Sequence, residues 1–293
     1  MALSLPYSLS PSKVSSFTDC ALAFRFSAID RLPEPPTVPA TRGTLVHRAL
    51  ERLYLLPAPE RTLAAALTEL DGAFEELRGR PEFDALELDD DHQHLFLDEA
   101  EALVRRYFVL EDPTTVHPIG LELNLELEVA DGPVLRGIID RLELDPEGNF
   151  VVTDYKTGKV PSAEQERARL GGVHFYSYLC EQLFGSRPAK VQLLYLSEPV
   201  VISTSPSEQS TRGLERKVRA VWTAVERACD RDDFRPKPSR LCDWCAFKAY
   251  CPAFGGDPEE GRRVGTARRE EARRAGHDLL DSPEQYRLDY SPA

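Results

Sequence analysis

Two hydrophobic rhythms divide this chain. Up to about residue 115 apolar side chains recur every three to four positions, and from residue 120 they recur every two. The first rhythm belongs to helices and the second to half-buried strands. In the opening run, SLSPSKVSSFTDCALAFRF, Ser10 or Ser12 serves as a cap, which predicts an amphipathic helix ending near Phe26. The proline-rich RLPEPPTVPATRG predicts a loop. After it, GTLVHRALERLYLL restarts a helix with Val46, Ala49, Leu50 and Leu53 on one stripe. Residues 60–79 and 92–110 predict two more helices. In GLELNLELEVA leucines alternate with polar residues, and PVLRGIIDRLELD continues in strand chemistry until Pro146, Glu147, Gly148 and Asn149 turn the chain. NFVVTDYK is expected as its antiparallel partner. A helix over 163–184, a strand AKVQLLYL and a long helix over 208–231 follow. The tail from Gly255 is charged and poor in apolar residues, which predicts a loosely packed helix or disorder.

At 293 residues and 42% hydrophobic content the chain can bury a core of its own. No apolar run reaches the ~18 residues of a membrane span, and MALSLPYSLSPSK lacks a charged segment followed by an apolar one, so a cytoplasmic protein with no membrane partner is expected. The formal charge of −13 argues against a protein that coats nucleic acid nonspecifically, but leaves room for a local basic groove. Glu82, Asp84, Glu87, Asp89, Asp90, Asp91, Asp98, Glu99 and Glu101 form an acidic stretch, read as a solvated face.

The strand chemistry ends in charge. Asp140 closes RGIID, and Asp154 and Lys156 lie in the following strand, two residues apart and so on one side of it. Adjacent antiparallel strands bring the two carboxylates together, which costs repulsion unless a divalent cation lies between them. The pattern of Asp140, thirteen residues, Asp154, one residue and Lys156 suits phosphodiester hydrolysis. The acids would hold Mg²⁺ or Mn²⁺, which lowers the pKa of a bound water, and Lys156 would orient that water or offset charge on the phosphorane. The plain alternative is a pair of surface ion pairs at strand ends. KTGK is not a phosphate-cradling loop, because Thr153 and Val160 stand where such a loop needs Gly and Ser or Thr.

A second constellation is made of thiols. Cys242, Cys245 and Cys251 are spaced C-x2-C-x5-C, and three clustered thiolates need a fourth ligand, for which Cys20 is the best candidate. Cys180 and Cys229 fall inside predicted helices and read as small buried hydrophobes. Spacing alone leaves zinc and a [4Fe-4S] cluster both open.

RGTLVHRALERLY, RGIIDRLEL, VVTDYKTGK and the cysteine arrangement together resemble the RecB-like branch of the PD-(D/E)XK nuclease superfamily, in particular its iron-sulfur members, which include CRISPR-associated and AddB-type nuclease domains. The resemblance spans residues 10 to about 254. It implies an α/β fold, a restriction-endonuclease-like core with a central mixed β-sheet flanked by helices, whose N- and C-terminal segments join at a metal cluster. It also implies one nuclease domain over 1–254 with a helical insertion at about 58–112 and a cysteine segment at 240–254, followed by a charged tail over 255–293.

Residue by residue, the resemblance implies metal binding by His47, Asp140, Asp154 and the backbone carbonyl of Tyr155, and catalysis by Lys156. A neutral imidazole suits Mn²⁺ better than Mg²⁺. The family's Q-x-x-x-Y is here HFYSY, which places His174 and Tyr178 at those positions one helical turn apart, so both are expected among the catalytic residues, addressing the site or the phosphate backbone. One Cys before the nuclease core and three after it, as in the iron-sulfur members, turn the thiol set into a [4Fe-4S] staple on Cys20, Cys242, Cys245 and Cys251.

The activity so implied is a metal-dependent deoxyribonuclease, an exonuclease on single-stranded DNA or DNA ends in repair or recombination. With no motor motif in the sequence, unwinding would need a separate helicase. Lys13, Arg25, Arg42, Arg48, Arg141, Lys159, Lys237, Arg240 and Lys248 are candidate phosphate contacts, and Phe24, Tyr155, Trp244 and Tyr250 candidate stacking platforms. The rival readings are a catalytically silent iron-sulfur DNA-binding or scaffold subunit and a zinc-ribbon-like interaction module. His47, Asp140, Asp154 and Lys156 together favour the enzyme, and HFYSY favours the silent subunit.

Overall fold

The computed structural model describes residues 3–130 and 132–274. The rest of the expected tail, residues 275–293, lies outside them. The chain folds as two compact units, and strands β2 (Pro118–Glu128) and β3 (Val134–Leu144) contribute residues to both.

Pro36–Leu125 and Gly137–Thr211 form one unit. In it β3 pairs antiparallel with β4 (Phe150–Lys156), β4 pairs parallel with β5 (Lys190–Tyr195), and β5 pairs antiparallel with β6 (Val200–Thr204). β2 also pairs with β3, and the parallel β4–β5 pair among antiparallel ones makes the sheet mixed. Val151, Val152, Thr153, Asp154 and Tyr155 are all buried, as the middle strand of a covered sheet requires. α3 (Val38–Leu55), α4 (Leu63–Arg78) and α6 (Asp90–Leu110) pack on one face, where Val46, Leu50, Leu53, Phe74 and Phe96 close over Tyr155, Leu194 and Leu196. α7 (Ala163–Phe184) supplies Leu179 and Tyr176 against β3, where a side chain at Gly137 would meet them at 3.0 and 3.1 Å.

α3 starts earlier than its sequence suggests. The Thr37 hydroxyl accepts from Ala40 N–H at 3.4 Å, and a proline stands in the first turn, where its missing N–H costs nothing. The proline-rich segment is therefore partly a helix start. β6 is a short apolar strand that the sequence reading passed over.

The other unit holds the chain up to Pro35, Glu126–Arg136 and the described residues from Arg212. Its first helical run is broken rather than continuous. α1 (Pro11–Asp19) stops at Cys20, whose backbone is extended (φ −158°, ψ 108°); α2 (Ala21–Phe24) and a π-helical turn over Arg25–Ile29 follow. β1 (Ser8–Leu9) pairs in parallel with Val134 and Leu135. α8 (Glu208–Arg231) leads to three short 3₁₀ turns, Arg240–Trp244, Lys248–Tyr250 and Pro252–Phe254, and α9 (Pro258–Arg274) occupies the start of the charged tail. Gly265 of α9 sits against the Asp30 carbonyl, where a Cβ would fall 1.9 Å from the oxygen, so this helix packs closely despite its charge. No helix among the described residues is long and apolar enough to cross a membrane.

Candidate active site

The site grows from the register of β3 on β4. Arg141 lies opposite Thr153, the pair nearest the site, so Asp140 and Asp154 each lie one residue beyond it at the same end of the ladder, and the Asp154 carboxylate acts on Asp140. Asp140 Oδ2 accepts the Tyr155 N–H at 2.7 Å. Lys156, on the same side of β4 as Asp154, makes an ion pair with it. Burial works against the lysine's charge, but Asp154 and Asp140 outweigh it and raise the Lys156 pKa, so it stays cationic.

α3 delivers His47 to this edge. Its Nε2 lies 3.1 Å from the Tyr155 carbonyl oxygen, and its Nδ1 lies 3.5 Å from Asp140 Oδ2 and 3.9 Å from Glu122 Oε1. The helix can approach because position 43 is glycine: a Cβ there would stand 2.9 Å from Thr157 Oγ1.

Glu122 of β2 is the residue that sequence reasoning missed. Its φ of +43° is left-handed, a conformation that costs a non-glycine residue about 1–3 kcal/mol and that concentrates at functional sites. Burial, followed by the carboxylates of Asp140, Glu51 and Asp154, pushes its carboxyl up to about 9. Asp140 is raised to about 6, first by burial and then by Asp154, with His47 and Lys156 pulling the other way. His47, Glu122 and Asp140 form the one group among the described residues whose ligand atoms all lie within 4.8 Å of one another.

Two acids and one imidazole within 4.8 Å, with Asp154 near enough to act on both acids, are a donor set that a divalent cation fits. The Tyr176 hydroxyl on α7 also belongs to this field: burial, then Asp154, Asp140 and Glu122, raise its pKa far above the usual phenol value. Two residues turn a helix by about 200°, so Tyr176 projects opposite His174 and Tyr178. Burial holds the His174 imidazole neutral, and its Nδ1 is enclosed with no hydrogen-bond partner among the described residues.

Behind the acids the Arg141 side chain is fully buried. Nη1 donates to the hydroxyls of Tyr54 (2.5 Å) and Tyr155 (3.0 Å) and to Glu111; Nη2 donates to Glu111 (3.0 Å) and Thr153 (3.2 Å); Nε lies 2.5 Å from Glu143. Tyr155 thus ties this network to the site, because its own N–H and C=O meet Asp140 and His47.

Several expected DNA contacts are corrected by burial and pairing. Arg141 and Tyr155 are core, as is Phe24. Arg25 is buried among Asp30 (2.9 Å), Asp232 (3.4 Å) and Glu259 (3.5 Å). Arg42 pairs with Glu99, and Arg48 with Glu51 and Glu76. In so acidic a chain these cations have internal partners. Trp244 remains exposed.

The thiols were expected at one cluster. Cys20, Cys242, Cys245 and Cys251 belong to the same unit and are each half-buried. The Cys245 thiol is raised by burial and further by Cys20, Cys242 and Cys251, so it feels all three. Even so, the four sulfurs include no group of three within 4.8 Å of one another. Ser239 N–H donates to Cys242 Sγ at 3.4 Å. Cys180 and Cys229 are buried, their pKa values pushed by burial to about 12 and about 11, as inert thiols.

A family profile described as the PD-(D/E)XK nuclease superfamily matches residues 8–252. The chain belongs to that superfamily. Members of the PD-(D/E)XK superfamily are phosphodiesterases that use divalent metals, and the His47, Glu122 and Asp140 group is a place for one. No curated protein sequence matches. Among solved structures, one described as a putative exonuclease from Eubacterium rectale is 11% identical, covers 82% of this chain and 87% of its own, and superposes with a TM-score of 0.53, a likeness of fold. The structure of SSO0001 is 16% identical and covers 83% of this chain and 95% of its own, with a TM-score of 0.33.

Proposed function

We propose that this PD-(D/E)XK protein is a metal-dependent deoxyribonuclease of the RecB-like, iron-sulfur branch, acting as an exonuclease on single-stranded DNA or DNA ends in repair or recombination. The observation that carries the reading is the convergence of His47, Glu122 and Asp140 beside the Asp154–Lys156 pair. Mn²⁺ or Mg²⁺ would be held by His47, Glu122, Asp140, Asp154 and the Tyr155 carbonyl. Bound there, it would acidify a water and offset negative charge on the phosphate.

The remaining work falls to the chain. Lys156, cationic and tied to Asp154, orients the attacking water and stabilises charge gathering on the phosphorane oxygens. Tyr176, on α7 within the field of Asp154, Asp140 and Glu122, is a candidate donor to a phosphate oxygen. His174 and Tyr178, at the positions of the family's Q-x-x-x-Y, would address the site or the phosphate backbone, as the resemblance implies. The nuclease domain is taken as residues 1–254, with 58–112 as its helical insertion and 255–293 as its tail, in a cytoplasmic protein that relies on a separate helicase for unwinding.

A [4Fe-4S] cluster on Cys20, Cys242, Cys245 and Cys251 is part of the same reading. Four thiolates on one zinc, at Zn–S of ~2.3 Å, would stand about 3.8 Å apart. A cubane would instead spread the four thiolates over four irons, as the resemblance implies.

The test is incubation of anaerobically purified protein with end-labelled single- and double-stranded DNA in Mn²⁺, Mg²⁺ or EDTA. Shortening of labelled strands with Mn²⁺ and none with EDTA is expected. Protein with a full cluster that cuts no DNA would replace the enzyme by a silent DNA-binding subunit.

A further inference from the structure

The cations expected on DNA are mostly buried or paired, yet another set is exposed, and two of its four members have no acid partner. Arg219, Arg227 and Arg231 recur along α8, and Arg235 follows just beyond it. All four line a groove of about 670 Å³ in the cysteine-bearing unit, with Phe17 of α1 also in its wall. The four guanidinium groups are exposed and Phe17 is half-buried. Asp233 is the one acid among the described lining residues, and Arg235 already holds it through two hydrogen bonds of 3.0 Å. Arg219 shares Glu215 at 3.2 Å. Arg227 and Arg231 make no hydrogen bond or ion pair with any described residue.

In a chain of charge −13 this concave surface is lined by four arginines and one acid, and is locally positive. From Arg219 to Arg231 the helix rises about 18 Å, long enough to follow several phosphates in succession. An aromatic face between cations is what an unpaired base stacks on, whereas an acidic polypeptide would have no use for it.

We propose that this groove binds a single strand of DNA, with Arg219, Arg227 and Arg231 on successive phosphates and Phe17 against a base. The assignment of DNA rests on the nuclease reading above; the groove itself does not include the acid site. The surface would hold a strand by charge and stacking, without reading its sequence.

The experiment measures anisotropy of a labelled 20-nucleotide oligo-dT with the full-length protein in EDTA, over a series of KCl concentrations. Arg227→Ala/Arg231→Ala is expected to bind at least tenfold more weakly at 0.1 M salt. It should also lower the slope of log K against log salt by about 1.4, for two phosphate contacts at ~0.7 each. Phe17→Leu should weaken binding about fivefold with the slope unchanged. Hydrolysis of thymidine 5′-p-nitrophenyl phosphate with Mn²⁺, a substrate with no strand to lay in the groove, should be the same in all three proteins.

Unchanged affinity and slope in the double variant would overturn the proposal. So would an equal loss in Arg106→Ala, an exposed arginine on α6, since the effect would then be one of overall charge. Displacement of the oligonucleotide by poly-glutamate at equal charge concentration would overturn it in favour of an acidic protein partner. Wild-type protein that binds DNA through these arginines but never cuts would leave the groove standing and remove the nuclease reading instead.

Discussion

The acid site and the thiol set are both candidate metal centres, and they are built on different supports. His47, Glu122 and Asp140 bring their donors within 4.8 Å of one another, while the four thiols do not. The acids sit on an 18-residue helix and two 11-residue strands, backed by Tyr155 and the buried Arg141 network. The thiols sit at a helix break and on 3₁₀ turns of three to five residues. Long elements fix side chains before a cation arrives; single turns have little packing of their own with which to do so. The acid centre should therefore lose its metal and keep its fold, whereas the thiol centre should depend on its cluster for shape.

The largest effect that tests this contrast is catalytic. Asp154→Ala should abolish DNA cleavage and weaken Mn²⁺ binding in calorimetry, while absorbance near 400 nm stays as in wild type. Lys156→Ala should lower turnover by about 10²–10³ and still bind Mn²⁺, because charge stabilisation can be removed without emptying the site. Unchanged cleavage by Lys156→Ala would refute the role given to it here.

Next comes the scaffold behind the acids. Arg141→Leu leaves Glu111 and Glu143 as buried carboxylates without their cation, so denaturant unfolding should show a loss of about 3–5 kcal/mol. If instead the variant is as stable as wild type, the acid site does not owe its order to this network.

A smaller effect is expected at the thiols. Cys242→Ser or Cys20→Ser should remove the brown chromophore and cost at least about 2 kcal/mol, or roughly 4–8 °C in Tm. Mn²⁺ affinity should be unchanged. A colourless wild-type protein with stoichiometric zinc would overturn the iron assignment.

The last effect is a pH slope, which needs no substitution to read. In metal-free protein the folded chain keeps a proton on Glu122 up to about 9, but the unfolded chain loses it near 4.5. Over that window the folded state binds more protons, so stability falls as pH rises. Asp140, raised to about 6, adds to the fall at the acidic end. Thermal melts in EDTA from pH 5.5 to 8.5 should show declining Tm. Glu122→Gln should flatten the decline, and Mn²⁺ should reverse it, since the cation takes the proton's place.

How much of this was legible depended on how local the signal was. The period-two runs between 120 and 156 marked β2, β3 and β4, and the alternation within β4 was enough to set Asp154 and Lys156 on one side. The stripe of Val46, Ala49, Leu50 and Leu53 marked α3. His47 stood out only through family resemblance, because one helical histidine carries no pattern. Glu122 stayed hidden for the opposite reason: in LELNLELE it looks like any solvent-facing polar position, and its left-handed backbone leaves no mark in composition. Tyr176 lies inside HFYSY, where the one-turn spacing marks only His174 and Tyr178. The break at Cys20 and the two-residue β1 depend on contacts far along the chain, beyond the reach of local propensity.

The left-handed backbone at Glu122 makes the protein a poor subject for improvement by stability alone. Glycine adopts that conformation freely and carries no carboxylate to be crowded by Asp140. Glu122→Gly would relieve strain and repulsion at one stroke and would discard one donor of the candidate metal group in doing so. Selection for thermal resistance, applied to a random library, would be drawn to this position and would return robust proteins that no longer cut.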